Sequence, residues 1–192
     1  MEQRWHTNVD SNFAGYSTVM ASELHVDAIN HSGGTSALTI NSSGSVNMPG
    51  SVIQVVTSET TTQITGTSGS ETALGFTCAI TPKFSSSKIY VRVDLQTATT
   101  GTYGNYAISF KVRRGTSTSD TLISEGRFGR YDAETNVSRE LFASTALSAL
   151  DSPNTTSSTT YGTFVVNIDG SPTYKVSPNS GRSTITLMEI AQ

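Results

Sequence analysis

The stretch SKIYVRVDL, residues 87–95, decides the fold class of this chain. Apolar and polar side chains alternate through it without a break, and its apolar set is Ile89, Val91, Val93 and Leu95. A period of two is typical of a β-strand with one face in a core and the other toward solvent. The stretch YAISFKVRR, residues 106–114, repeats the pattern, with an inward set of Tyr106, Ile108, Phe110 and Val112.

Further strand-like runs surround these two. They include ELFASTALSAL, YGTFVVNID and STITLMEI, and turns containing Gly, Pro, Asn and Ser separate them. We count roughly eight to ten strands between residues 50 and 192, at the spacing of sandwiches and barrels, and no convincing helix. The sequence therefore predicts an all-β fold, an antiparallel jelly-roll-like β-sandwich, which we call the knob. The apolar final run is expected to be a central strand, inserted between others.

Charge and cysteine content exclude several classes of protein. The net charge is −3 and the 12 Lys and Arg residues are scattered, so the basic stripe that nucleic-acid binding needs is missing. Lys111 and Arg113 share one face of a strand, which we interpret as a solvated outer face. No apolar run approaches the roughly 20 residues of a membrane helix, and the N-terminus has no secretory apolar region. The single cysteine, Cys78, alternates with apolar residues and is predicted to be a buried thiol.

Residues 1–20 hold the only tryptophan, Trp5, together with Phe13 and Tyr16. Neither helical nor strand periodicity is sustained there. Aromatic residues without periodicity at a terminus suggest a segment that becomes ordered by docking onto another protein. The alternative is a frayed tail.

Residues 21–49 form a thin region before the knob. Within it, ALTINSSGSVNM predicts two short strands around a glycine-containing turn. Leu38 and Ile40 share a face, as do Val46 and Met48. An isolated two-stranded hairpin is marginally stable in water, so we expect other copies of this chain to cover its apolar face. This region is therefore predicted to be a stalk.

Catalytic and metal-binding patterns are missing from the sequence. His6, His25 and His31 have no acidic or cysteine neighbours at metal-ligand spacing, and no G-x-S-x-G motif occurs. Loop carboxylates such as Asp132 and Glu134 leave a glycosidase open, although their spacing singles out no pair. We expect no enzyme activity, no metal and no cofactor.

Surface residues at or beside turns are the remaining candidates for function. Tyrosines there can stack on sugar rings or partner side chains while donating a hydrogen bond, although tyrosines that cover the ends of a core would give the same pattern. The candidate receptor contacts are Tyr103, Arg127, Arg130, Tyr131, Tyr161 and Tyr174.

Several motifs together resemble a known family. MPGSVIQVV, ITPKFSSSKIYVRV, FKVRRGTS, LDSPNTTSSTTYGTFVV and STITLMEI are similar to motifs of small virion structural proteins of tailed bacteriophages, many from marine and cyanobacterial hosts. The upstream SELHVDAINHSGGTSALTINSSGSV is similar to the leader that often precedes this domain. The resemblance covers residues 22–192 and implies a tail-fibre or minor structural protein without catalytic motifs. It also implies a trimer topped by jelly-roll heads.

These observations predict a non-enzymatic protein of the virion surface, made in the host cytoplasm. Its expected form is a short homotrimeric fibre that docks on other virion proteins through residues 1–20. The knob would face outward and either bind a host-surface glycan or reinforce the particle. A capsid decoration protein is the alternative within the virion. A free carbohydrate-binding module is the alternative from another class, and it would require a secretion signal and a row of exposed aromatic residues.

Overall fold

A computed structural model describes residues 25–34, 36–40, 42, 44–101, 105–131 and 139–192. Within these ranges the chain forms antiparallel β-strands in three sheets and one turn of 3-10 helix at Pro178–Ser180. The strands are β1 Ala28–Asn30, β2 Ser36–Ile40, β3 Val46–Asn47, β4 Val52–Thr60, β5 Ile64–Gly66, β6 Thr72–Ile80, β7 Lys88–Gly101, β8 Asn105–Arg114, β9 Thr121–Tyr131, β10 Arg139–Asp151, β11 Thr159–Asp169, β12 Thr173–Val176 and β13 Ser183–Ile190. The predicted all-β fold class is confirmed.

Two large sheets pack face to face to make the sandwich. In the first sheet, β4, β13, β7 and β10 are neighbours in that order. β12 pairs with the C-terminal part of β7, and β5 pairs with β12. The second sheet has the order β6-β11-β8-β9. The chain passes from one sheet to the other after β5, β6, β7, β9, β10 and β11, which is the winding of a jelly roll. β13 lies between β4 and β7, so the prediction of a central final strand is confirmed.

The core lies between the two large sheets and follows the predicted alternation. Ile89, Val93, Ile108 and Phe110 have no exposed surface, and their neighbours in sequence point outward. Cys78 is a buried free thiol in the same cluster, as predicted. Burial raises its pKa, because an apolar environment disfavours the thiolate.

The small sheet before the knob has three strands rather than the two predicted. β2 lies in the middle, with β1 on one side and β3 on the other. The short run of β1 alternates too weakly to be recognised from sequence, but its register places Ile29 opposite Leu38. The chain enters the knob where Gly50 N–H donates to the carbonyl of Ala191 over 2.9 Å.

Candidate interaction surfaces

An apolar row crosses the outer face of the first large sheet. Val55 pairs with Met188, Met188 with Tyr90, and Tyr90 with Leu150, so one side chain from each of β4, β13, β7 and β10 stands in line. Cross-strand partners lie on the same face of a sheet and contact each other. The two ends of the row, Val55 and Leu150, are 54% and 52% exposed. This row is accessible for contact with another molecule.

The apolar surface continues from this row onto the small sheet. Val52 lies opposite Ile190, two residues beyond Met188 on β13, and it also lines a crevice of about 400 Å³ with Val46 and Met48. All three of these lining side chains are about half exposed. We call the whole set the apolar face; its residues are Ile29, Leu38, Ile40, Val46, Met48, Val52, Val55, Tyr90, Leu150, Met188 and Ile190.

The predicted stalk residues all belong to the apolar face. Leu38 and Ile40 are half-buried, whereas Val46 and Met48 are exposed. Ile40 lies opposite Val46, so the two strands contribute to one face as the alternation suggested. The knob part of the face was not predicted. Its signal is nevertheless present, because Val55 and Leu150 are apolar residues at strand positions that alternation assigns to solvent.

The two rows next to the apolar row are mainly polar. The next rows along the strands hold Thr57, Thr186, Arg92 and Ser148, followed by Glu59, Thr184, Asp94 and Ala146. Arg92 Nε donates to Asp94 Oδ2 over 2.7 Å, and this exposed pair raises the pKa of the arginine. The apolar face is therefore confined to the end of the sheet that adjoins the small sheet.

The outer face of the second large sheet carries a covered ion cluster. Glu71 accepts hydrogen bonds from Lys111 Nζ and Arg113 Nε, each over 2.6 Å. Arg113 also lies over the ring of the buried Phe164, 5.8 Å from its centroid. The hydrogen bond from Arg113 is the main cause that lowers the pKa of Glu71. The interpretation of Lys111 and Arg113 as a solvated face is wrong, because Glu71, about 40 residues away in sequence, covers both side chains.

Two of the candidate receptor contacts are buried, and that prediction is wrong for them. Tyr161 has no exposed surface, and its hydroxyl donates to Asp151 Oδ2 over 2.7 Å within the sandwich. Burial raises the pKa of Tyr161, and the neighbouring carboxylate adds to the effect. Tyr174 is 4% exposed and packs closely against Gly66 of β5. Both tyrosines cover the core.

Arg127 is the candidate contact whose exposed side chain the structure describes. Its Nε donates to Glu125 Oε1 over 2.8 Å, and the same carboxylate oxygen accepts a hydrogen bond from Ser109. The bond from Ser109 is the main cause that lowers the pKa of Glu125. Trp5, Phe13, Tyr16, Tyr103, Asp132 and Glu134 lie outside the described residues, as do the side chains of Arg130 and Tyr131 at the end of β9.

A pocket of about 420 Å³ opens on the outer face of the first sheet, at the end opposite the apolar face. One wall is β10 at Phe142, Ala143 and Ser144, and the other is the turn from Pro178 to Gly181. Gln96 of β7 lies between them and donates from Nε2 to Ser144 Oγ over 3.1 Å. Sequence analysis did not single out any of these residues.

The described part of the chain holds neither a candidate metal cluster nor a helix that could span a membrane. No group of three or more His, Cys, Asp or Glu side chains among the described residues could hold a metal ion. None of the helical structure in the same ranges is long and apolar enough to cross a membrane.

Comparison with known proteins gives a structural likeness only. No family model and no curated protein matches the chain. Among solved structures, a mutant VP2 protein of infectious bursal disease virus in T=1 particles is 12% identical, with a TM-score of 0.38 over 76% of this chain and 39% of that one. The VP2 structure from a subviral particle of the same virus is 13% identical, with a TM-score of 0.37 over 77% of this chain and 40% of that one. This chain thus spans about two-fifths of those viral proteins, and at these TM-scores the likeness carries no argument about function.

Proposed function

We propose that this chain is a non-enzymatic structural protein of a tailed-bacteriophage virion, assembled as a short homotrimeric fibre. The observation that carries the proposal is the apolar face, which runs from the exposed small sheet onto the outer face of the knob. Large exposed apolar patches on soluble domains mark interaction sites. The sequence resemblance supports the virion setting and the threefold assembly.

Other copies of this chain are the partner that the apolar face fits best. The small sheet offers strands of only three, five and two residues, and its apolar side chains Val46 and Met48 remain about half exposed. In a homotrimer, each copy of the face packs near one axis and buries both the small sheet and the knob row. A heterologous contact of this kind closes into a ring when the rotation between copies is one third of a turn.

The short small sheet also favours a second function, that of a capsid decoration protein. Its longest strand, β2, has five residues and so rises only about 17 Å. A neck of that length suits a protein that stands directly on a capsid surface. Both functions use the same trimer and differ in the position on the particle.

Immunogold electron microscopy on purified particles of the encoding phage tests this proposal. Gold-labelled antibody raised against the purified protein is expected to bind intact particles. Gold confined to the tail supports the fibre, and gold spread over the head overturns the fibre in favour of decoration. Particles that carry none of the protein, by labelling and by mass spectrometry of their proteins, overturn the virion role altogether.

A further inference from the structure

The pocket beside Phe142 has the composition of a small-ligand site. Its volume of about 420 Å³ falls in the range of roughly 300–1,000 Å³ that is typical of such sites. Phe142 is 53% exposed, on a strand whose other outward residues nearby are Ser144 and Ala146. An aromatic ring held in this position offers a flat apolar surface to a ligand.

Polar groups without formal charge surround that ring. Gln96, Ser144 and Asn179 are exposed and supply two amides and a hydroxyl, all of which both donate and accept hydrogen bonds. None of the residues that line the pocket is acidic or basic. An uncharged ligand with several hydroxyl groups fits this lining better than an anion or a cation.

The turn that forms the second wall is held in an unusual conformation. Ser177, Asn179 and Ser180 all have positive φ angles, 53°, 53° and 62°, which residues other than glycine adopt rarely. Strained backbone of this kind persists only where the surroundings enforce it, and it clusters at binding sites.

Hydrogen bonds fasten this turn to β7. Ser177 N–H donates to the carbonyl of Gln96 over 2.8 Å, and the backbone N–H of Gln96 donates to Ser183 Oγ over 3.1 Å. Ser177 Oγ, which is buried, lies 2.9 Å from Ser183 Oγ. The turn that carries Asn179 is therefore held against the backbone of β7 before any ligand arrives, which lowers the entropic cost of binding.

We infer that this pocket binds a neutral sugar ring, with the apolar C–H face of the pyranose on Phe142. The ring hydroxyls hydrogen-bond to Gln96, Ser144 and Asn179. The inference goes beyond the proposed trimeric virion protein, because it assigns a ligand class to the knob, for which the sequence suggested either glycan binding or reinforcement of the particle. Gln96 lies six positions beyond Tyr90 on β7, a rise of about 20 Å along the strand, so the pocket stays open when the apolar face is covered.

Saturation-transfer NMR on the full-length protein tests the inference. The probes are glucose, galactose, mannose and N-acetylglucosamine, each as the free sugar and as a disaccharide. We expect transfer to the ring C–H protons of at least one of them, with a Kd on the order of 1 mM, as befits a single small site. The Phe142→Ala variant should weaken that binding about tenfold or more.

Two further variants make the result specific. Asn179→Gly keeps the positive φ and removes only the amide, so it should also weaken binding. Leu141→Ala changes the neighbouring exposed residue of β10 that does not line the pocket, and it should bind as the original protein does. Absence of transfer from every probe, or equal transfer in Phe142→Ala, overturns the inference.

The trimer in the proposed function is tested separately, by the oligomeric state of the protein. A trimeric virion protein that binds none of these sugars overturns the inference and leaves the assembly intact. Sugar binding by a protein that is monomeric in solution overturns the trimer and leaves the pocket intact.

Discussion

The carboxylate of Glu189 joins three parts of the chain at one end of the sandwich. It has no exposed surface, and its Oε1 accepts hydrogen bonds from the backbone N–H groups of Lys83 and Phe84 over 2.8 and 3.2 Å. Gln54 Nε2 donates to Oε2 over 2.6 Å and also to the carbonyl of Thr81. One side chain of β13 thus fastens both β4 and the connection that leads into β7.

Removal of this carboxylate should destabilise the knob strongly. In Glu189→Ala, the backbone N–H groups of Lys83 and Phe84 and the amide of Gln54 lose their acceptor, and we expect a loss of roughly 2–4 kcal/mol in the free energy of unfolding. Chemical denaturation followed by circular dichroism measures it. The matched control is Glu59→Ala on neighbouring β4, whose carboxylate is exposed and paired with Arg182. That change should cost less than about 1 kcal/mol, and equal losses in the two variants would refute the role assigned to Glu189.

Single tyrosines show where sequence patterns stop being informative. Tyr161 and Tyr174 stand near turn residues, which suggested exposure, yet both are buried. A turn position in sequence does not reveal whether a distant segment covers the side chain. Asp151 covers Tyr161 from β10, and the close approach of Gly66 covers Tyr174.

At the scale of the strand, two outward side chains of β8 are held by a residue from another part of the chain. Its outward side chains Lys111 and Arg113 are held by Glu71, which immediately precedes β6. Because these hydrogen bonds stabilise the ionised form, the folded pKa of Glu71 lies below its unfolded value of about 4.3. The stabilisation is therefore complete above the unfolded pKa and is lost as the pH falls through the folded pKa.

Glu71→Gln should reduce the dependence of stability on acidic pH. At pH 7 the variant is expected to be less stable by about 1–3 kcal/mol, since Lys111 and Arg113 lose their carboxylate partner. As the pH falls below about 4, the original protein should lose more stability than the variant, so that the two unfolding curves converge. Thermal unfolding across this pH range measures the effect. A constant difference at every pH would contradict the assignment, and Glu59→Gln is the exposed control.

Alternation predicted the strands well and their partners poorly. Ile89, Val93 and Phe110 are buried as expected, because a period of two depends only on near neighbours in sequence. The addition of β1 to the small sheet and the cover of β8 by Glu71 depend on contacts between distant segments. The pocket at Phe142 was missed for the same reason, since β7, β10 and the turn at Pro178 come together only in the fold.

At the scale of the whole molecule, the two ends of the first sheet differ in character. One end carries the apolar face, continuous with the small sheet, and the other carries the uncharged pocket around Phe142. This arrangement suits an assembly that meets its own copies at one end and an outside ligand at the other. Such a trimer would carry three pockets, and linked weak sites can raise avidity by about 10²–10⁴-fold.

The proposed trimer is tested by the native mass of the purified full-length protein. We expect about 61 kDa, three times the 20.3 kDa chain, by native mass spectrometry and light scattering. Leu150→Glu places a charge in the apolar row and should shift the mass toward the monomer, whereas Leu122→Glu, at an exposed position of β9 outside the apolar face, should remain trimeric. A monomeric mass for the unmodified protein, or a trimer that Leu150→Glu leaves intact, would show that the apolar face does not hold three copies together.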